Sequence, residues 1–394
     1  MNAKNAAYPL LMVAICVLLN MNDGIDISVL SFAAPRISQE WSLNKIETAW
    51  FFSAGLTGMM LGSFLIAPLG DRFGRKKIFL LSLALIATGM LLVAYCHQYR
   101  IFLLLRLVTG LGIGGILPAL ASVATENSSE RWKDFNVGLV QAGWPIASII
   151  TGIVCAYVIP AWGWRIVFVF AGSFSLLMLI VVGLLMKTDT GTFIQERKGR
   201  LLVLLQPAFL RSTLLVWIGI FFAVFTLYTL MSWIPTAVKE RGVSFQLASY
   251  AGVMLNTGAA LGTASLGLIA QIPGLGIRKT VTYFLLMAVF VLLLLGSLNS
   301  TAVLFLLIFL SGFFVQGGFN GNYAVMARIY PAHIRSTGIG MAIGIGRFGA
   351  IVGPLLFGLF ASAGYPMVFI FALFAAPLLV TACCVYALRS NELK

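Results

Sequence analysis

Twelve long stretches of almost uninterrupted apolar residues alternate with short polar intervals along this chain. They fall at about 9–33, 47–69, 78–97, 101–124, 135–160 and 166–187, and again at about 212–236, 246–271, 279–298, 301–326, 336–362 and 366–388. Each approaches or exceeds the roughly 20 residues that a helix needs to cross ~30 Å of hydrocarbon. Strands of a membrane barrel alternate apolar with polar side chains, whereas these runs are apolar on every side. The pattern predicts an all-α membrane protein with twelve transmembrane helices in two six-helix bundles. The expected boundaries are a first bundle over 1–187, an interdomain linker over 188–211 and a second bundle over 212–394.

Composition points the same way. Hydrophobic residues make up 60% of the chain and charged residues 10%, where a soluble domain carries about 25% charged residues. The net charge of +14 would suit a nucleic-acid binder if Lys and Arg gathered on one soluble face. Instead they cluster between the apolar runs. With both termini on one side, that side carries 18 of the 26 Lys and Arg and the other side 6, with Arg106 and Arg347 inside spans. The bias predicts cytoplasmic termini and a plasma (inner) membrane location, with lipid as solvent and no nucleic-acid partner. Cys16, Cys96, Cys155, Cys383 and Cys384 all lie in apolar stretches, with neither a disulfide frame nor a metal spacing. The first apolar run reads as a retained span, not a cleaved signal.

The two halves resemble each other. Residues 67–74 align with 267–274 at an offset of 200, and 164–168 with 365–369 at an offset of 201. Both offsets are close to half the chain length, as expected of parallel six-helix repeats, a transporter architecture with its substrate site between the halves.

Gly70-Asp71-Arg72-Phe73-Gly74-Arg75-Lys76-Lys77 follows the second span. Glycine allows a tight turn there, and an acid beside several cations suits an ion-pair latch. The stretch resembles the signature loop of the major facilitator superfamily. Ala67 stands in place of the family's usual glycine, and in the second half Gln271 and Ile272 replace the acid and the base. Arg106-Leu107-Val108-Thr109-Gly110 resembles the superfamily's fourth-helix motif. Glu126 with Arg131, and Tyr330-Pro331 with Arg335, resemble its loops after helices 4 and 10. Asp71, Arg72, Gly74, Arg75, Glu126, Arg131 and Arg335 are therefore expected to form a cytoplasmic gate. Glycines such as Gly110, Gly114, Gly349 and Gly353 read as close-packing positions.

Only two acids lie deep within a span: Asp23 and Asp26, three residues apart on one helix face, with Asn20 a turn earlier. An ionised acid in mid-membrane costs at least roughly 2.5–3.5 kcal/mol. Burial and mutual repulsion raise carboxyl pKa values, so the pair is a candidate proton carrier. Gly24 between them is expected to loosen the helix beside a wet cavity. Arg106 and Arg347 are the buried cations. A guanidinium can grip a carboxylate through two parallel hydrogen bonds, so one arginine from each half could clamp an anion. Alternatively, Arg106 pairs with Asp23 or Asp26 and holds its bundle together. Gln316, Phe319, Asn320 and Tyr323 share a face of helix 10, Gln141 and Trp144 a face of helix 5, and Phe221, Phe225 and Tyr228 a face of helix 7. Such a lining suits a planar ring with polar substituents.

Asn22-Asp23-Gly24-Ile25-Asp26 resembles the Asp-Gly-x-Asp signature of the aromatic acid:proton symporter family within the superfamily. The likeness extends over the chain and includes Gly346-Arg347-Phe348-Gly349. It implies uptake of a benzoate-like carboxylate with a proton by a monomeric carrier, with no cofactor beyond the coupling ion. It also implies that Asp23 and Asp26 serve proton coupling and that Arg106 and Arg347 serve the anion. A drug–proton antiporter would favour a Gly-Pro pair in helix 5, where Gly143-Trp144-Pro145 stands instead. A non-transporting receptor would bind ligand without accumulating it. An enzyme would need a paired histidine, nucleophile elbow or phosphate loop, and none is found in the sequence.

Overall fold

A computed structural model describes residues 3–129, 132–187, 203–297, 300–331 and 334–388, with the side chains of 3–7, 71–72, 121–122, 133–134 and 335–336 left undescribed. Among the described residues all regular secondary structure is helical. Twelve helices are long and apolar enough to cross a membrane. They are α1 (Ala3–Glu40), α2 (Lys45–Leu65), α3 (Arg75–Ala94), α4 (Tyr99–Glu126), α5 (Lys133–Trp162), α6 (Arg165–Leu185), α7 (Pro207–Lys239), α8 (Phe245–Ile269), α9 (Gly276–Leu295), α10 (Thr301–Ile329), α11 (Arg335–Ser362) and α12 (Met367–Ala387). Even the 20-residue helices α3 and α9 rise about 30 Å, enough for the hydrocarbon layer. Several helices overrun the apolar runs that predict them. Once begun, a helix continues past the hydrocarbon edge as long as its backbone bonds are satisfied internally.

The chain divides into two compact units. One comprises residues 1–43, 50–194 and 239–250, and the other 44–49, 195–238 and 251–394.

Within each unit, glycines set the closest helix approaches. A Cβ at Gly58 or Gly62 of α2 would collide with the carbonyl oxygen of Leu107 or Leu111 on α4, and one at Gly110 or Gly114 with that of Gly55 or Met59. The second unit repeats the arrangement, at an offset of 200 between α2 and α8 and of 202 between α4 and α10: Gly258 and Gly262 of α8 sit on Phe309 and Phe313 of α10, and Gly312 sits on Leu255. Gly349 and Gly353 of α11 likewise meet the backbone of Phe221 and Phe225 on α7. Without a hydrophobic drive between helices in lipid, such backbone-to-backbone packing is a main source of cohesion.

One end of α1 is tied down. The Glu40 carboxylate accepts hydrogen bonds from Trp164 Nε1 at 2.7 Å and from Arg165 at 2.8 Å. Next to it, the Trp41 ring makes edge-on contacts with Phe51, Phe102 and Trp164 at 5.5–6.2 Å. Edge-to-face pairs in this range contribute about 0.5–1.5 kcal/mol each beyond area burial.

Candidate functional site

The site's first part is built on α1. Asn20, Gly24 and Ser28 recur every fourth residue, so they form one stripe. That stripe lies on α5: Asn20 Nδ2 donates to the Val140 carbonyl at 2.6 Å, and the Ser28 and Ser148 hydroxyls lie 2.5 Å apart. A Cβ at Gly24 would stand 2.5 Å from the Trp144 carbonyl oxygen. The expected loosening at Gly24 is absent. α1 runs unbroken through it, and the missing side chain is what lets α5 come so close. On another face, Asn22 Oδ1 accepts a hydrogen bond from Ser175 of α6 at 2.8 Å.

Asp26 faces α4. Arg106 NH1 and NH2 donate to its two carboxylate oxygens at 2.6 and 2.8 Å. The side chains are 2% and 0% exposed, respectively. Gly55 makes room for this fork, since a Cβ there would stand 3.2 Å from NH2. Met90 Sδ lies 3.7 Å from NH1. Of the two roles open to Arg106, ion pairing is the one that this arrangement holds. Breaking such a pair leaves an uncompensated buried charge and costs about 3–5 kcal/mol. Asp23 is also buried, at 6% exposure, but the two carboxyls do not form an isolated dyad, because Asp26 is engaged by the guanidinium.

The second part lies on α7, α8, α10 and α11. Arg347 donates to the Tyr228 hydroxyl at 3.2 Å, and its helix α11 packs against α10, which carries Tyr323. The helices α7–α12 contain no Asp or Glu. Gln316, Phe319, Asn320 and Tyr323 are all half-buried on one face of α10. Asn320 Nδ2 donates to Thr263 Oγ1 of α8 at 2.8 Å, Gln316 Nε2 reaches Asn320 Oδ1 at 3.5 Å, and the Phe319 and Tyr323 rings meet edge-on at 5.5 Å. This is a cation, two phenols and two amides gathered in one bundle. The set could hold a carboxylate at the guanidinium and a ring among the aromatics.

The aromatic faces expected on α7 and α5 divide. Phe225 is core: it is buried and stacks on Phe374 of α12 at 5.2 Å. Phe221 and Trp144 are half-buried, and Gln141 is exposed, 3.5 Å from Asn20 Nδ2. Among the described residues, no group of His, Cys, Asp or Glu could hold a metal ion.

At the α2–α3 turn, Gly74 has φ 93° and ends a five-residue helix, Leu69–Phe73. Its counterpart 200 residues on, Gly274, has φ 85°. Positive φ is the conformation that glycine adopts at no steric cost. The Arg75 guanidinium grips Glu126 at 2.5 and 2.8 Å, joining the start of α3 to the end of α4. Arg131 lies outside the described residues, as do the side chains of Asp71, Arg72 and Arg335.

The sequence reading did not single out Ser175, Thr263 or Asn256. Asn256 is buried on α8, with its Nδ2 on the Gly252 carbonyl at 2.9 Å. A polar Asn256 and Thr263 seven residues apart on an apolar helix were the available signal, since that spacing returns to the same face.

The family profile described as Major Facilitator Superfamily matches residues 16–299. The chain is 33% identical to the 3-(3-hydroxy-phenyl)propionate transporter of Escherichia coli K12, over 99% of this chain and 96% of that one. It is 26% identical to the 4-hydroxybenzoate transporter PcaK of Acinetobacter baylyi, over 89% and 85% of the two chains. It is also 26% identical to the gallate transporter of Pseudomonas putida, over 98% and 93%. Among solved structures, a D-xylose-proton symporter matches with a TM-score of 0.80 at 14% identity, covering 98% of this chain and 99% of that one. At that identity the likeness is one of fold.

Proposed function

The chain belongs to the major facilitator superfamily, and from that premise we propose a proton-coupled symporter that takes up a small aromatic carboxylate by alternating access. That it is a multi-pass membrane transporter and not an enzyme follows from the family. The substrate, the coupling ion and the direction are the proposed part. The carrying observation is the contrast between two intramembrane guanidiniums. Arg106 is closed off by Asp26, whereas Arg347 lies with Tyr228 in the bundle that carries the Gln316, Phe319, Asn320 and Tyr323 face. A guanidinium beside a phenol hydroxyl can grip a carboxylate through charge-assisted hydrogen bonds, so we take a carboxylate as the ligand of Arg347. The three relatives above, all named as carriers of aromatic acids, support that substrate class.

In this reading Asp23 and Asp26 carry the proton. Protonation of α1 removes negative charge from the membrane interior, where charge is costly, and weakens the hold on Arg106. The carboxylate meets Arg347 and Tyr228, and its ring lies against Phe319 and Tyr323. The loaded carrier then changes its access, and substrate and proton leave together. One proton with one monocarboxylate is electroneutral, so a pH gradient drives accumulation where a membrane potential does not. The cation bias between the two sides supports cytoplasmic termini, and the Arg75–Glu126 pair belongs to the cytoplasmic gate.

The test uses purified protein in liposomes with an imposed inward proton gradient. Labelled benzoate-like acids should accumulate. Asp23→Asn should abolish accumulation while still exchanging label for unlabelled substrate. Normal accumulation by that variant would remove Asp23 from the coupling scheme.

A further inference from the structure

Among the described residues, the hydrogen bonds of the second bundle leave two amide oxygens unexplained. Asn256 Oδ1 on α8 and Gln316 Oε1 on α10 are both buried with no hydrogen-bond partner, and Asn256 as a whole is only 5% exposed. Buried carbonyl oxygens of this kind are rare in folded proteins, and each calls for a donor. Their surroundings are organised. Asn256 lies two turns from Thr263 on one face of α8, and Gln316 lies one turn from Asn320 on α10. The Asn320–Thr263 hydrogen bond ties the two helices together. Glycine contacts fix the same pair of helices at backbone distance along their length. In the first bundle the matching helices carry Gly114 where the second bundle carries Gln316, so the repeat's packing does not require an amide there. Phe319 and Tyr323 follow on the same face of α10 as Gln316, and α10 packs against α11, the helix that carries Arg347.

We infer that this amide lane is a specificity element: Gln316 and Asn256, positioned by Asn320 and Thr263, accept a hydrogen bond from a hydroxyl on the substrate's ring. The inference rests on the proposed carboxylate site at Arg347. The anion fixes one end of the substrate, the aromatic side chains of α10 flank its ring, and the lane reads a donor at the other end. A ring lacking that hydroxyl leaves the amide oxygens unanswered. This is the situation in which a hydrogen-bonding site discriminates far more strongly than an apolar pocket can. Thr263 and Asn320 are positioning residues in this scheme, because their bond holds the two helices and their amides in place.

Equilibrium binding to the purified full-length protein, followed by intrinsic tryptophan fluorescence, tests it with two matched pairs: 3-(3-hydroxyphenyl)propionate against 3-phenylpropionate, and 4-hydroxybenzoate against benzoate. At least one hydroxylated acid should bind about tenfold or more tightly than its unsubstituted partner, in keeping with a hydrogen-bonding site. Gln316→Leu and Asn256→Leu should each shrink that ratio severalfold, the hydroxylated acid losing more than its partner. Thr263→Val should shrink it less, and Thr263→Ser should restore it. Thermal unfolding of each variant identifies those that have lost the fold, and Gln316→Glu supplies a second probe that keeps an acceptor in place. Equal binding within both pairs by the native protein, or a proportional loss for both acids in the variants, overturns the inference and leaves the carboxylate site standing. Binding of none of the four acids overturns both.

Discussion

The bundle α1–α6 and the bundle α7–α12 share a scaffold but not a chemistry. Gly58 and Gly62 against α4 match Gly258 and Gly262 against α10, and Gly74 matches Gly274 at the turn. Each bundle also carries one guanidinium in mid-helix. In the first it is buried against a carboxylate, and in the second it meets a phenol. Every acid within a span's interior belongs to the first bundle. The repeat therefore preserves what lipid demands of helix packing and leaves the charges free to specialise. One half holds the intramembrane acids, and the other holds a guanidinium in the bundle of the amide and aromatic face of α10.

The strongest way to break that comparison is to remove the acid from the first pair. Asp26→Ala leaves Arg106 buried without its counter-charge and should destabilise the protein by about 3–5 kcal/mol, read as a large fall in thermal unfolding temperature in detergent. Adding Arg106→Met should recover much of the stability without restoring transport. An unchanged melting temperature in the single variant would mean that the ion pair does not hold the bundle.

Arg347→Lys probes the other side. Lysine keeps the charge but loses the planar fork, which removes a charge-assisted hydrogen bond of about 1.5–3 kcal/mol and lowers carboxylate affinity roughly ten- to a hundredfold. Undiminished affinity would take Arg347 out of the site. Tyr228→Phe is a finer probe: loss of one hydrogen bond of about 1 kcal/mol should weaken binding around fivefold. Glu126→Gln should have the smallest effect on stability, under about 1 kcal/mol, since Glu126 is 58% exposed and solvent screens the pair. A large loss of stability there would show that this end of the first bundle depends on the pair more than its exposure suggests.

Lipid makes much of this fold legible in the sequence. Runs that must be apolar on all sides reveal the twelve helices, and a 200-residue offset reveals the repeat. Intramembrane charges are equally visible, because each is costly enough to need a reason. What the sequence does not reveal is rotation. Asp23 and Asp26 are three positions apart, and only the packing of α1 on α5, set by Asn20, Gly24 and Ser28, turns Asp26 toward Arg106. Gly24 reads as a flexible point until Trp144 is seen against it. Glu126 reads in the sequence only as part of a gate loop, and it is a helical hairpin that returns the end of α4 to the start of α3, where Arg75 meets it. Thr263 and Asn256 pass unnoticed because small polar residues are common in membrane helices, and only α10 shows what they face.

Glu40 and Trp41 give α1 a further property. The helix is pinned at its tail, and Asp26 sits fourteen residues up the shaft, about 21 Å from the pin at 1.5 Å per residue, with Pro35 between them as a point where the ladder of backbone bonds is interrupted. Tilting such a lever by about ten degrees would sweep the Asp26 backbone sideways by about 4 Å over that arm, enough to part a carboxylate from its guanidinium while the tail stays put.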